Sequence, residues 1–153
     1  MDAEVSVRSL IERGDVFNNV KGLTAEEIFK SLSSLTDFPP AANGEDILTE
    51  LLEREKVLST AVGNGIAIPH PRRPLIGNPD DQRIYVCFPE TPVGMGAPDS
   101  RRVHAMFILL SANSQSHIKA LSELARLFRN EDFRRLLETQ PSKQSLLDAI
   151  DNM

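Results

Sequence analysis

Two histidines stand where an imidazole ring can do chemistry. His70 lies between Pro69 and Pro71, so its ring is held on a stiff backbone that leaves one edge free for reaction. His117 falls in the first turn of a helix whose predicted N-cap is Ser114. Unpaired backbone N–H groups and the positive end of the helix dipole favour an anion at such a turn. A phosphoryl group is an anion of this kind.

Other kinds of site are disfavoured by the sequence. Cys87 lies within an apolar run at 84–88, which predicts a buried side chain. The glycines at 63–65 and 94–96 do not complete a GxGxxG fingerprint, and neither a GxxxxGK[ST] loop nor a GxSxG elbow occurs. His104 is expected within a strand, and none of the three histidines has the spacing of metal ligands. We therefore expect no metal, no bound nucleotide and no serine hydrolase.

Composition predicts one globular domain spanning residues 1–153. The chain is 41% hydrophobic and 25% charged, and its apolar residues are mostly aliphatic, which suits helices packed on a sheet. A net charge of -5 and the lack of a Lys/Arg block argue against nucleic acid or an anionic membrane as a partner. No run of 18 apolar residues occurs, and residues 1–4 do not resemble a signal peptide. We expect no membrane insertion and a cytoplasmic protein.

The first half of the chain predicts two helices. Residues 24–27 read as a capping box, so a helix starts near Ala25 and stops at the prolines 39–40. A second amphipathic helix is expected to begin around Gly44 and to carry Arg54 near its C-terminal end.

The rest of the chain predicts short strands followed by helices. β-Branched, small or apolar residues predict extended segments at 60–62, 66–68, 83–88 and 103–110. Segments rich in proline, glycine and charge predict loops at 71–81 and 89–102. Helical spacing predicts helices from Ser114 to Phe128, from Asn130 to Leu137 and from Ser142 to about Ile150.

A longer pattern joins these features. It consists of Leu51-Leu52-Glu53-Arg54-Glu55, Ser59-Thr60 and the run Gly63-Asn64-Gly65-Ile66-Ala67-Ile68-Pro69-His70. It continues through residues 90–93, 97–99, 103–110 and 117–128, and so covers nearly the whole chain. This pattern resembles the IIA domains of the bacterial phosphotransferase system, in the fructose, mannitol and nitrogen-regulatory branch.

The resemblance implies a site, a chemistry and a fold. His70 is the expected phosphoryl acceptor, and Arg54 and His117 are expected to flank it. The expected phosphoryl-binding amides are those of Gly63, Asn64, Gly65 and Ile66. The implied fold is α/β, a mixed β-sheet sandwiched between α-helices, and the implied chemistry needs no cofactor or metal.

The resemblance also implies protein partners. The expected donor is an HPr-type phosphocarrier protein. The expected downstream partner is either a IIB domain or a regulated protein such as a transporter, a kinase or a transcription factor. Asn64 stands where some sugar-specific members carry Glu, which favours the nitrogen-regulatory type over a fructose/mannitol-type IIA component for sugar uptake. Residues 71–73 replace a smaller residue after the histidine, a departure that bears on partner recognition.

Overall fold

The computed structural model describes residues 6–41 and 46–153. The helices of this part of the chain are α1 (Val7–Arg13), α2 (Ala25–Leu35), α3 (Ile47–Val57), α4 (Ser114–Phe128), α5 (Glu131–Glu138) and α6 (Lys143–Asp151). The strands are β1 (Asp15–Val20), β2 (Ala61–Gly63), β3 (Ile66–Ala67), β4 (Arg83–Pro89) and β5 (Ala105–Leu110). A short 3-10 helix, Pro79–Asp81, precedes β4.

The five strands form one mixed sheet. Their order is β1-β4-β5-β3-β2. β1 runs parallel to β4, and β3 runs parallel to β5. The pairs β4/β5 and β2/β3 are antiparallel. Because β3 and β5 are parallel, their C-terminal ends lie side by side, and the segments that follow them start close together.

Helices cover both faces of this sheet, since the central strands are apolar on both sides. Along β4, Tyr85 and Cys87 pack with α2 and α3 on one face. Ile84, Val86 and Phe88 pack with α1, α4, α5 and α6 on the other. The expected α/β architecture, a mixed sheet between helices, is thereby confirmed, as is the burial of Cys87.

The helix ends depend on side-chain caps. The Thr24 hydroxyl accepts from the backbone N–H of Glu27, which confirms the predicted start of α2. The prediction that Ser114 caps α4 is wrong, because the side chain of Asn113 accepts from the Ser116 N–H and Ser114 is already helical. The helix start predicted near Gly44 lies outside the described residues.

Two elements at the start of the chain carry no clear signal in the sequence. α1 has only seven residues, and the edge strand β1 lacks a regular alternation of buried and exposed side chains. The strand predicted from Val103 begins at Ala105, since Val103 makes only an isolated bridge to Val93.

Candidate functional site

His70 and His117 meet where the parallel strands β3 and β5 end. The N–H of Leu109 in β5 donates to the carbonyl of Pro69 at 2.9 Å, which holds the segment carrying His70 against the sheet. The chain leaves β5 into α4, whose first turn carries His117. The two imidazole rings lie with their centroids 4.9 Å apart and their planes at 59°. The structure therefore brings the two predicted histidines into contact.

The hydrogen bond of His70 sets the state of its ring. Nδ1 lies 2.7 Å from the carbonyl oxygen of Ile68, which can only accept, so Nδ1 carries the proton and donates. The lone pair of the neutral ring is then on Nε2. Burial lowers the pKa of His70, the carbonyl of Ile68 opposes this, and the charge of Arg54 lowers the pKa further. The result is a neutral, nucleophilic imidazole near pH 7.

His117 has a different environment. Its Nδ1 lies 3.4 Å from the hydroxyl oxygen of Ser111, a buried residue at the end of β5. Burial, and then the neighbouring ring of His70, lower the pKa of His117. When the Ser111 hydroxyl donates to Nδ1, the Nε2 of His117 carries a proton that can be donated to an oxyanion.

Arg54 lies in the last turn of α3, as predicted. Its guanidinium donates to the carbonyl of Leu58, an unpaired group at the end of the same helix. Its charge is close enough to lower the pKa of His70. Among the described residues no carboxylate forms an ion pair with Arg54, so its charge is available to an incoming anion.

Glu55 is a further residue of the candidate site, and its place in the sequence pattern does not indicate a role for it. Its carboxylate accepts from both the backbone N–H and the hydroxyl of the buried Thr60, at 2.9 Å and 2.6 Å. The carbonyl of Thr60 accepts in turn from the N–H of Ile68, at 3.0 Å. This chain of bonds, the Glu55–Thr60 clamp, joins the helix of Arg54 to the segment of His70.

The structure does not bring the glycine-rich turn to this site. Gly65 pairs with the start of β5, where its carbonyl accepts from the N–H of His104, while Pro69 pairs with Leu109 at the other end. Five residues of a strand span about 16 Å. The amides predicted to bind the phosphoryl group belong to this turn and to the residue after it, namely Gly63, Asn64, Gly65 and Ile66. Those amides lie at the start of β3 and β5, whereas His70 lies near the other end of these two strands.

The turn has a structural explanation of its own. Gly63, Asn64 and Gly65 all have positive φ, at 98°, 56° and 76°. The N–H of Asn64 donates to the carboxylate of Asp99 at 2.8 Å, so it is already used. A Cβ on Gly65 would lie 2.3 Å from the ring of His104. The turn is therefore a tight connection between β2 and β3.

His104 is separated from the other two histidines by the length of β5. Its Nε2 is buried and has no hydrogen-bond partner within the part of the chain that the structure describes. Burial lowers the pKa of His104. No group of three His, Cys, Asp or Glu side chains within residues 6–41 and 46–153 is arranged to hold a metal ion.

Comparison with known proteins places this chain in a family. The model of the family described as "phosphoenolpyruvate-dependent sugar phosphotransferase system, EIIA 2" matches residues 9–153. The chain belongs to this family. It is a IIA component of a phosphotransferase system, and the resemblance noted in the sequence is confirmed.

Individual relatives of this IIA component include regulatory and sugar-specific proteins. A nitrogen regulatory protein of Pseudomonas aeruginosa is 27% identical over 149 residues, which cover 95% of each chain. A fructose-specific EIIA component of Haloferax volcanii is 34% identical over 107 residues, covering 67% of this chain and 66% of that one. The crystal structure of nitrogen regulatory protein IIA-Ntr from Neisseria meningitidis matches with a TM-score of 0.77 and 26% identity, covering 93% and 97%.

A cavity of about 280 Å³ lies beside the histidine pair of the IIA component. Its walls are formed by the segment after His70 and by the end of β5 with the first turn of α4. The lining residues are Pro71, Arg72, Arg73, Pro74, Leu109, Ser111, Ser114, His117 and Ile118. We call this the basic cavity, because its charged side chains are arginines.

A helix that spans a bilayer needs about 20 consecutive, mainly apolar residues. In the described residues, no helix of the IIA component is both long enough and apolar enough to cross a bilayer.

Proposed function

We propose that this IIA component is a phosphoryl carrier that accepts the phosphoryl group on Nε2 of His70. The observation that carries the proposal is the bond from Nδ1 of His70 to the carbonyl of Ile68, at 2.7 Å. It leaves the lone pair of Nε2 available, with the ring of His117 in contact on one side. A neutral imidazole on a stiff backbone is the form that a carrier histidine needs.

The proposed donor is a phosphohistidine on an HPr-type phosphocarrier protein. The lone pair of Nε2 forms a bond to phosphorus while the bond from phosphorus to the donor imidazole breaks, and the donor ring keeps that electron pair. The donor ring, protonated on its other nitrogen, leaves neutral. The ring of His70 keeps its proton on Nδ1 and becomes a cation attached to the phosphoryl dianion. The carbonyl of Ile68 stabilises that cation, and the step uses no metal or other cofactor.

Two neighbours of His70 are proposed to meet the charge of the moving group. Negative charge in phosphoryl transfer is spread over three equatorial oxygens, so catalysis is mainly positioning and electrostatic stabilisation. His117 is in ring contact with His70 and can donate from Nε2. Arg54 now donates to the carbonyl of Leu58, and we infer that it exchanges this acceptor for a phosphoryl oxygen.

The downstream role that we favour is regulation of the nitrogen-regulatory type in the cytoplasm. Its support is the similarity to a nitrogen regulatory protein over 95% of both chains. Phosphorylation adds charge at one surface of the protein, and a partner that reads that charge binds one state better than the other. The proposed reader is a transporter, a kinase or a transcription factor.

A second candidate function is sugar uptake. Its support is the 34% identity to a fructose-specific EIIA component. In this case His70 passes the phosphoryl group to the cysteine of a IIB domain.

The first experiment tests whether His70 is the carrier. Phosphorylated HPr-type protein is mixed with the wild type, with His70→Ala and with His104→Ala, a control histidine at the other end of β5. We expect an acid-labile, base-stable label on the wild type and on His104→Ala, and none on His70→Ala. Retention of the label by His70→Ala would remove His70 from the proposed role.

The second experiment separates the two downstream roles. Phosphorylated wild-type protein is offered to each IIB protein of the host, and the label on the IIB cysteine is measured. Absence of transfer to all of them supports the regulatory role. Rapid transfer to one of them establishes the sugar-uptake alternative.

A further inference from the structure

The basic cavity concentrates positive charge in an otherwise acidic protein. Its walls carry the guanidinium groups of Arg72 and Arg73, the hydroxyls of Ser111 and Ser114, and the ring of His117. None of its lining residues, all of them within the described part of the chain, is acidic. The whole chain has a net charge of -5, so this concentration of positive charge is local.

The N-terminus of α4 adds to the positive character of the cavity. α4 has 15 residues and begins at Ser114, which lines the cavity. The side chain of Asn113 caps only the N–H of Ser116, so the first amides of the helix keep their partial positive charge.

The cavity suits a side chain better than a separate small molecule. Its volume of about 280 Å³ is just below the range of about 300–1,000 Å³ that is usual for small-molecule sites. Pro71, Leu109 and the exposed Ile118 supply apolar wall beside the arginines. A short hydrocarbon stem that ends in a carboxylate fits both kinds of wall.

The position of the cavity places it within the surface that a phosphoryl-exchanging protein must cover. A standard interface buries about 800 Å² on each partner, which corresponds to a disc of radius about 16 Å. His117 lines the cavity and is also in ring contact with His70. A protein that brings its own phosphohistidine to His70 therefore covers the cavity as well.

We propose that the basic cavity receives an aspartate or glutamate side chain of the protein that donates the phosphoryl group, and that Arg72 selects this partner. The inference rests on the proposed carrier function and names the chemistry of its partner. It depends on Arg72, which is exposed and forms no hydrogen bond or ion pair with the described residues. The IIA component thus prefers a phosphocarrier with an acidic face around its phosphohistidine.

The test compares two charge reversals. Arg72→Glu places a carboxylate in the cavity, whereas Arg102→Glu reverses an exposed arginine at the opposite end of β5. Initial rates of phosphoryl acceptance are measured against the concentration of phosphorylated HPr-type protein of the same host. We expect KM to rise about tenfold or more for Arg72→Glu, with kcat changed less than about twofold and with a weaker dependence on salt. Arg102→Glu should behave as the wild type does.

A charge swap identifies the occupant. Aspartates and glutamates around the donor's phosphohistidine are changed to lysine one at a time. We expect one such donor to be poor with the wild type and to restore the KM of Arg72→Glu.

Three outcomes overturn the inference in different ways. An unchanged KM for Arg72→Glu, with normal acceptance by the wild type, overturns the inference and leaves the carrier function standing. A lower kcat at unchanged KM means that Arg72 acts on the phosphoryl group rather than on a partner's carboxylate. Failure of the wild type to accept phosphoryl overturns both the carrier function and the inference.

Discussion

His70 and His117 lie in ring contact, yet they differ in their hydrogen-bond partners. His70 donates from Nδ1 to a backbone carbonyl at 2.7 Å, whereas His117 faces a hydroxyl at 3.4 Å. A carbonyl can only accept, so the tautomer of His70 is fixed, while the hydroxyl of Ser111 can donate or accept. The difference matches a division into nucleophile and charge-stabilising neighbour, and it leads to two predictions about single residues.

Replacement of His117 by Ala should slow phosphoryl acceptance without abolishing it. The variant keeps the nucleophile but loses a donor to the transferring group, so we expect kcat to fall by about a hundredfold. Single-turnover labelling from phosphorylated HPr-type protein measures this rate. A normal rate in His117→Ala would assign His117 to the packing of α4 alone.

Replacement of Arg54 by Lys should lower the rate although the positive charge is kept. The planar guanidinium can hold two phosphoryl oxygens at once, and an ammonium group cannot, so we expect a loss of about tenfold or more. Thermal unfolding should be nearly unchanged, because Arg54 is only partly buried. The idea fails if Arg54→Lys accepts phosphoryl at the wild-type rate.

At the scale of elements, two connections position the site and the sheet. The Glu55–Thr60 clamp joins the end of α3 to the segment that carries His70. The turn at residues 63–65 joins the end of β2 to the start of β3, away from His70. Mutations in these two connections should have different effects. A change in the clamp should alter the pKa and the reaction rate of His70, whereas a change in the turn should alter only the stability of the fold.

Replacement of Glu55 by Gln should change the titration of His70. The negative charge of Glu55 raises the pKa of His70, so its removal should lower that pKa. The amide also cannot accept as strongly from both donors of Thr60, so the rate should fall about tenfold. NMR titration of the imidazole measures the pKa. Glu53→Gln, an exposed neighbour on α3 that pairs with Lys56, is the control and should leave the pKa unchanged.

Replacement of Gly65 by Ala should destabilise the fold and spare the chemistry. The new Cβ would lie 2.3 Å from the ring of His104 in a backbone with φ of 76°, so we expect a loss of about 1–3 kcal/mol in the free energy of unfolding. Gly94→Ala is the control, because nothing lies within 4 Å of its Cβ. The folded Gly65→Ala protein should accept phosphoryl normally, and a selective loss of rate would connect the turn to the site.

For the whole molecule, burial of the three histidines links stability to pH. The pKa values of His70, His104 and His117 are all lowered in the fold, chiefly by burial. As pH falls through about 6.5, the unfolded chain takes up protons that the folded chain resists. The stabilising contribution of the neutral rings is therefore complete above pH 6.5 and decreases as pH falls towards the folded pKa values.

We accordingly expect the Tm to fall between pH 7.5 and pH 5.5. His104→Gln should show a smaller fall than the wild type, since this change removes one partly buried titrating group that lies away from the histidine pair. Calorimetry at several pH values measures the change. A Tm that is flat across this range, or an unaltered pH dependence in His104→Gln, would contradict the expectation.

Much of the fold followed from local sequence. The apolar run around Cys87 is buried on both faces, as a central strand requires, and the cap at Thr24 marks the start of α2. The setting of His70 between two prolines predicted a presented ring, and the ring is half-buried with one nitrogen fixed. These features depend on residues that are neighbours along the chain. The short helix α1 and the edge strand β1 lack such a local signal and were missed.

Only the tertiary structure decided which residues meet. Gly63-Asn64-Gly65 is a near neighbour of His70 in sequence, yet an extended chain carries it about 16 Å away along the sheet. His117 is remote in sequence, yet the parallel pairing of β3 with β5 brings it into ring contact with His70. Residues that are close in sequence become separated in space along a strand, because each residue lengthens the strand by about 3.3 Å. The pairing of two strands brings residues that are far apart in sequence into contact. Which strands pair depends on the packing of helices against both faces of the sheet.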